Sequence, residues 1–156
     1  MQHYAHNLRG ILLCLLLLTG LTGCSDSSDP AAPPAAAPDQ PGPFAVGHSS
    51  FTAIDPARGN RSLAVEAWYP VDEADRQAGP MTSYELAPGI GLTSALAMDG
   101  LPVSSRPEQV LLVYSHGFGG INTAAVALTE TLASHGFIVV SPNTPGNSTK
   151  FRRRLI

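Results

Sequence analysis

The chain is 156 residues long, with 12 acidic and 9 basic side chains, a formal net charge of −3 and 44% hydrophobic residues. Four of the basic residues fall together at Lys150 and Arg152 to Arg154, so the positive face that nucleic acid requires is missing and no such partner is expected. The two cysteines, Cys14 and Cys24, are too few for a disulfide framework, and the first lies in a leader.

Residues 1–23 begin with one arginine, Arg9, and continue into an apolar run from Ile11 to Leu18, too short to span a bilayer and suited to a secretory signal. Leu21-Thr22-Gly23-Cys24 resembles the lipobox of bacterial lipoproteins. That resemblance implies export, lipidation of Cys24 as the mature N-terminus and a membrane anchor; several acyl chains, each adding about 0.8 kcal/mol per buried CH₂, would hold firmly. Ser25 stands where an aspartate would favour inner-membrane retention, so in a Gram-negative host the resemblance points to the outer membrane or its periplasmic face. Residues 24–43, rich in Pro, Ala, Ser and Asp, cannot bury a core and are expected to form a disordered or polyproline-like tether.

Residues 44–156 carry the folded pattern. His48 reads as a strand or loop residue. Gly47-His48-Ser49-Ser50-Phe51 begins like a nucleophile elbow, but Phe51 stands where the closing glycine belongs and the segment precedes the strands. Residues 71–106 read as a long connection broken by Gly79-Pro80, Pro88-Gly89 and Gly100-Leu-Pro102, with a helical turn at 93–98 and Met81, Tyr84 or Leu92 as candidate pocket-wall residues.

The aliphatic run 110–114 predicts a short strand buried on both faces, and it empties into His116-Gly117-Phe118-Gly119-Gly120, where glycines permit positive φ and close backbone approach. Asn122 is the expected N-cap of a helix over 123–135 with Ala125, Leu128, Leu132 and Ala133 on its buried face, and Gly136 is its stop. A second buried strand follows at 137–141. Strand, glycine turn, helix and strand make a parallel crossover, which puts the turn at the carboxyl edge where open α/β sheets bind ligands. Dinucleotide binding fits poorly: Asn122 replaces the third glycine of G-x-G-x-x-G, Asn143 stands where an acid belongs, and no P-loop run occurs. His116 has no nearby Asp to orient it and reads as a structural or pocket-lining residue; His135 is placed to meet the helix C-terminal dipole. The histidines show no metal-ligand spacing, so neither a metal nor a cofactor is expected.

Val-Tyr-Ser-His116-Gly117-Phe118-Gly-Gly, the later Ser-His-Gly-Phe-Ile-Val-Val-Ser-Pro-Asn-Thr-Pro145-Gly146-Asn147 and the upstream Trp68-Tyr69-Pro70 together resemble the α/β-hydrolases, in the branch of dienelactone hydrolase-like and platelet-activating-factor acetylhydrolase-like lipoproteins. The resemblance implies an α/β fold, present as the N-terminal portion of a hydrolase domain with an incomplete sheet, in which residues 46–58 and 61–70 form an opening antiparallel hairpin ahead of the crossover. It implies carboxylic ester hydrolysis of a small-molecule or lipid ester through an acyl-enzyme. In it the backbone N–H of Phe118 supplies one oxyanion-hole donor, and His116 and Gly117 shape the loop. The Gly-x-Ser-x-Gly elbow, acid and base follow later in that family's chain order, and none occurs after Val140. The chain is therefore expected to be a fragment, inactive as written, with a bare and aggregation-prone edge at 110–114. The alternative is a non-enzymatic surface lipoprotein that binds an apolar ligand.

Overall fold

The computed structural model describes residues 36–76, 79–144 and 146–148. The leader, Cys24, Pro145, Lys150 and the arginine run lie outside them. The described residues build one six-stranded mixed sheet in the order β3-β4-β1-β2-β6-β5.

The opening hairpin forms as expected. β1 (Ala45–Asp55) and β2 (Arg61–Val71) pair antiparallel over their full eleven residues, from Ala45↔Val71 to Asp55↔Arg61. Gly59 at φ +68 and Asn60 at φ +55 let the connection reverse, and Arg58 and Arg61 both donate to the Asp55 carboxylate beside it. The Arg58 hydrogen bond, with Arg61 behind it, holds that carboxyl below its usual range.

The long connection expected at 71–106 is instead a second hairpin, β3 (Met81–Ala87) and β4 (Ile90–Asp99). Its signal is short but physical: Thr82 and Tyr84 alternate inward, and Pro88-Gly89 closes the turn with proline fixing one φ and Gly89 at +74 supplying the other. The helical turn expected at 93–98 is absent. In its place β4 bulges, since Met81 pairs with Met98 but Ser83 pairs with Thr93, and the Ser94 hydroxyl accepts the N–H groups of Leu96 and Ala97 inside the bulge. β4 then runs parallel to β1, with His48 opposite Asp99.

On the other side β6 (Ile138–Pro142) pairs antiparallel with β2 and parallel with β5 (Leu111–Val113), the parallel pair being linked through helix α1 (Val126–Ser134). The strand-helix-strand crossover is therefore present, and β5 is an edge of the sheet. Its burial departs from expectation. Only Leu112 turns inward, whereas Leu111 and Val113 are 59% and 65% exposed, because α1 covers one face and nothing among the described residues covers theirs.

The helix also departs from the sequence reading. It begins at Val126 with Ala125 at the N-cap position, and Asn122 does not cap it, because its side-chain amide is drawn to Glu66 on β2. The buried face is Val126, Thr129, Glu130, Ala133 and Ser134, so Leu128, expected inside, is exposed. Polar Thr129 and Glu130 are tolerated there because each has a partner: Thr129 bonds the Val126 carbonyl and Glu130 accepts from Tyr84.

Two apolar clusters hold the sheet. Under α1 lie Val46, Trp68, Tyr84, Ala97, Val126, Ala133 and Val139; on the opposite face Ala45, Ala67, Tyr69 and Val71 pack with Leu101, Ile138 and Val140. Trp68 is fully buried, and its indole N–H donates to the Tyr84 hydroxyl at 2.7 Å. The end of the expected tether is ordered rather than loose. Gly42 and Phe44 donate their N–H groups to the Ser134 hydroxyl and carbonyl, and the His135 ring Nε2 donates to the Gln40 carbonyl at 2.9 Å. His135 thus meets a chain carbonyl, where the sequence suggested a helix dipole.

Candidate active site turn

The glycine turn lies between the carboxyl end of β5 and the start of α1. Its conformation rests on Gly119, at φ +74, whose N–H donates to the Asn147 carbonyl at 2.8 Å, while Gly120 N–H donates back to Gly117 O at 2.9 Å. A side chain at 119 would be strained by that φ, and one at 120 would meet Gly117 O at 3.0 Å and His116 Cβ at 3.2 Å. The Phe118 side chain points outward and is 76% exposed.

His116 is buried, and both ring nitrogens are engaged. Nε2 accepts the Thr144 N–H at 3.3 Å, so Nδ1 carries the proton and donates to Gly117 O at 2.9 Å. The ring therefore pins the turn to the loop that follows β6. In this geometry it offers no lone pair to a substrate, which is the arrangement of a scaffold residue rather than a base.

A second polar centre lies beneath the turn, on the α1 face, and sequence reading missed it. His48 Nε2 is 2.9 Å from Glu66 Oε2, and its Nδ1 is 2.8 Å from Asp99 Oδ1. Trp68 and Tyr84 flank the ring at centroid distances of 5.7 and 5.3 Å. Burial, the largest single influence, pulls the imidazole pKa down, but the hydrogen bonds and charges of Glu66 and Asp99 together outweigh it and the net shift is upward. Ser50 also donates to Glu66 Oε2, Thr82 donates to Asp99, and Asn122 Nδ2 reaches Glu66 Oε1 at 3.3 Å. Tyr84 relays a further chain, accepting from Trp68 and donating to Glu130 at 2.8 Å. Burial, with Glu130 beside it, pushes that hydroxyl far above the ordinary phenol range, so it stays a donor. The missed signal was available in the hairpin register, which pairs His48 with Trp68 and Ser50 with Glu66 on one face.

Around the turn the polar groups are less settled. Asn122 Oδ1, Thr123 Oγ1, Ser141 Oγ and Asn143 Oδ1 are buried without a hydrogen-bond partner among the described residues. Among the described residues no group of three or more His, Cys, Asp or Glu is arranged to hold a metal ion. Met81 and Leu92, suggested as pocket-wall residues, are surface residues of the second hairpin, and Tyr84 is core. A cavity of about 210 Å³ lies instead at the amino ends of β5 and β6, lined by Arg106, Glu108, Val110, His135 and Phe137 at the opposite end of the strands from the turn.

Comparison with known proteins agrees with this arrangement. The family model for platelet-activating factor acetylhydrolase, isoform II, matches residues 85–152, which include β5, the turn, α1 and β6. The solved ferulic acid esterase from Streptomyces cinnamoneus superposes with a TM-score of 0.50 at 26% sequence identity, over 73% of this chain and 37% of that one. The chain thus spans well under half the length of that esterase. No curated protein sequence matches.

Proposed function

We propose, from the likeness to the platelet-activating factor acetylhydrolase family model and to a solved esterase, that the chain is the N-terminal portion of an exported, lipid-anchored carboxylic ester hydrolase of the α/β-hydrolase kind, working through an acyl-enzyme. The observation that carries this reading is the His116-Gly117-Phe118-Gly119-Gly120 turn, set at the carboxyl end of β5 beside parallel β6 and braced by Asn147, Thr144 and its own glycines. Gly119 and Gly120 spend their N–H groups on bracing. By the family resemblance alone, the Phe118 N–H takes the role of donating to the oxygen that becomes negative as a nucleophile adds to the ester carbonyl. Such a donor is worth about 10²–10³ in turnover. The attacking serine, its acid and its base belong to sequence that follows β6 in the family's order. Cys24 supplies the membrane anchor, and the substrate is a short-chain acyl or phospholipid ester.

The test has two arms. The chain as written should hydrolyse p-nitrophenyl butyrate no faster than buffer, because a lone oxyanion donor has no attacking group to serve. The same chain extended by downstream coding sequence that carries a Gly-x-Ser-x-Gly segment should turn over, and should lose turnover when that serine becomes alanine. Hydrolysis by the short chain, or an inert extended one, overturns the proposal. Anchoring is read separately: Cys24→Ala should abolish both acyl labelling and recovery in the membrane fraction.

A further inference from the structure

A neutral imidazole has one N–H, yet His48 presents both ring nitrogens to carboxylate oxygens at 2.8 and 2.9 Å. Only the imidazolium donates to both. Its two acceptors differ in surroundings, since the Glu66 side chain is 16% exposed and that of Asp99 is 49% exposed. When the ring loses a proton, Asp99 can turn to water, and the remaining N–H stays with Glu66. The His48–Glu66 link therefore persists in either state.

Glu66 divides its oxygens. Oε2 takes His48 and Ser50, and Oε1 takes the side-chain amide of Asn122. Asn122 is 2% exposed and stands two residues after Gly120, at the point where the turn passes into α1. Its amide orientation is fixed by chemistry, because only the NH₂ end can face a carboxylate. The same residue that fails to cap the helix thus ties its approach to the middle of the sheet.

We infer that the chain His48–Glu66–Asn122 is a positioning device for the glycine turn, with His48 fixing the Glu66 carboxylate and Glu66 holding Asn122 so that residues 117–120 keep one backbone conformation. The catalytic meaning of this device rests on the proposed role of the turn, but the device itself is read without any ester. Failure of the hydrolase reading would leave it standing, and its own failure would not touch that reading.

Native-state hydrogen exchange of the full chain, followed by NMR, tests it. The Gly119 and Gly120 amides are both hydrogen-bonded, so their exchange reports how often the turn opens. Asn122→Ala cuts the last link and leaves the His48 clasp intact. It should accelerate exchange at Gly119 and Gly120 about tenfold, as expected for one lost hydrogen bond to a charged group, with the β1–β2 amides unchanged. Glu66→Ala, which removes both acceptor oxygens, should do the same and also lower the titration midpoint of the His48 ring. Unchanged exchange at the turn would show that Asn147 and Gly117 hold it alone, and equal acceleration throughout the sheet would show a merely structural residue. Either result overturns the inference.

Discussion

The two halves of the sheet are finished to different degrees. In the hairpin half, β1 to β4, the polar groups on the α1 side close on one another: His48 with Glu66 and Asp99, Thr82 with Asp99, Tyr84 with Trp68 and Glu130. Among the described residues of the crossover half five buried oxygens lack partners, Gln109 Oε1 and the four around the turn, against Arg61 Nε in the hairpin half, and Leu111, Val113 and Leu128 face outward. Each unpaired buried group costs about 1–3 kcal/mol. The part of the chain whose chemistry is most recognisable is thus the part least stabilised by its own contacts, and the hairpin half supplies the platform on which it rests.

The comparison can be broken most forcefully at Trp68. Trp68→Ala removes the one large side chain fully buried between the hairpins and α1, and should cost about 3–5 kcal/mol in urea unfolding. A loss under 1 kcal/mol would mean that the platform is elsewhere. Tyr84→Phe should cost about 1–3 kcal/mol, since it strands both the Trp68 N–H and the Glu130 carboxylate; Glu130→Gln combined with it should recover part of the loss.

The third prediction concerns pH. The folded pKa of His48 lies above its ordinary value of 6.5, so its contribution to stability is complete below that value and is lost as pH rises through the folded pKa. The unfolding midpoint should therefore fall as pH is raised above about 6.5, and His48→Gln should flatten that fall. A midpoint that rises over the same window would contradict the two-carboxylate clasp. The smallest effect is expected on the exposed edge. Leu111→Thr with Val113→Thr should change stability by about 0.5 kcal/mol or less while raising the concentration at which the chain stays monomeric in light scattering.

What the sequence disclosed follows the length scale of each signal. The glycine turn and the second crossover strand are legible because their cues are local, a glycine cluster or an apolar run, while the opening hairpin is legible through the resemblance that ends in Trp68-Tyr69-Pro70. The second hairpin was hidden because β4 interrupts its own alternation with the Ser94 bulge, and an interrupted strand looks like a loop. The inward face of α1 was misjudged because Thr129 and Glu130 are polar, and their burial depends on Tyr84, which is 46 residues away from Glu130 in sequence. Asn122 looked like a cap for the same reason. Its preferred partner, Glu66, comes from a strand that no local pattern brings near it.

The junction at Gly42 has a mechanical consequence. A side chain there would collide with the Ser134 carbonyl at 2.2 Å, so the chain lies flat against the end of α1 and enters β1 only after bonding Ser134 through Gly42 and Phe44. A pull from the N-terminal side, as an anchored protein would feel, meets these few bonds one after another, beginning at Gln40. They are few and separate, whereas β1 is paired with β2 over eleven residues. If the chain is anchored as proposed, a transient force would load these bonds at the helix end before it loads the strand that carries His48.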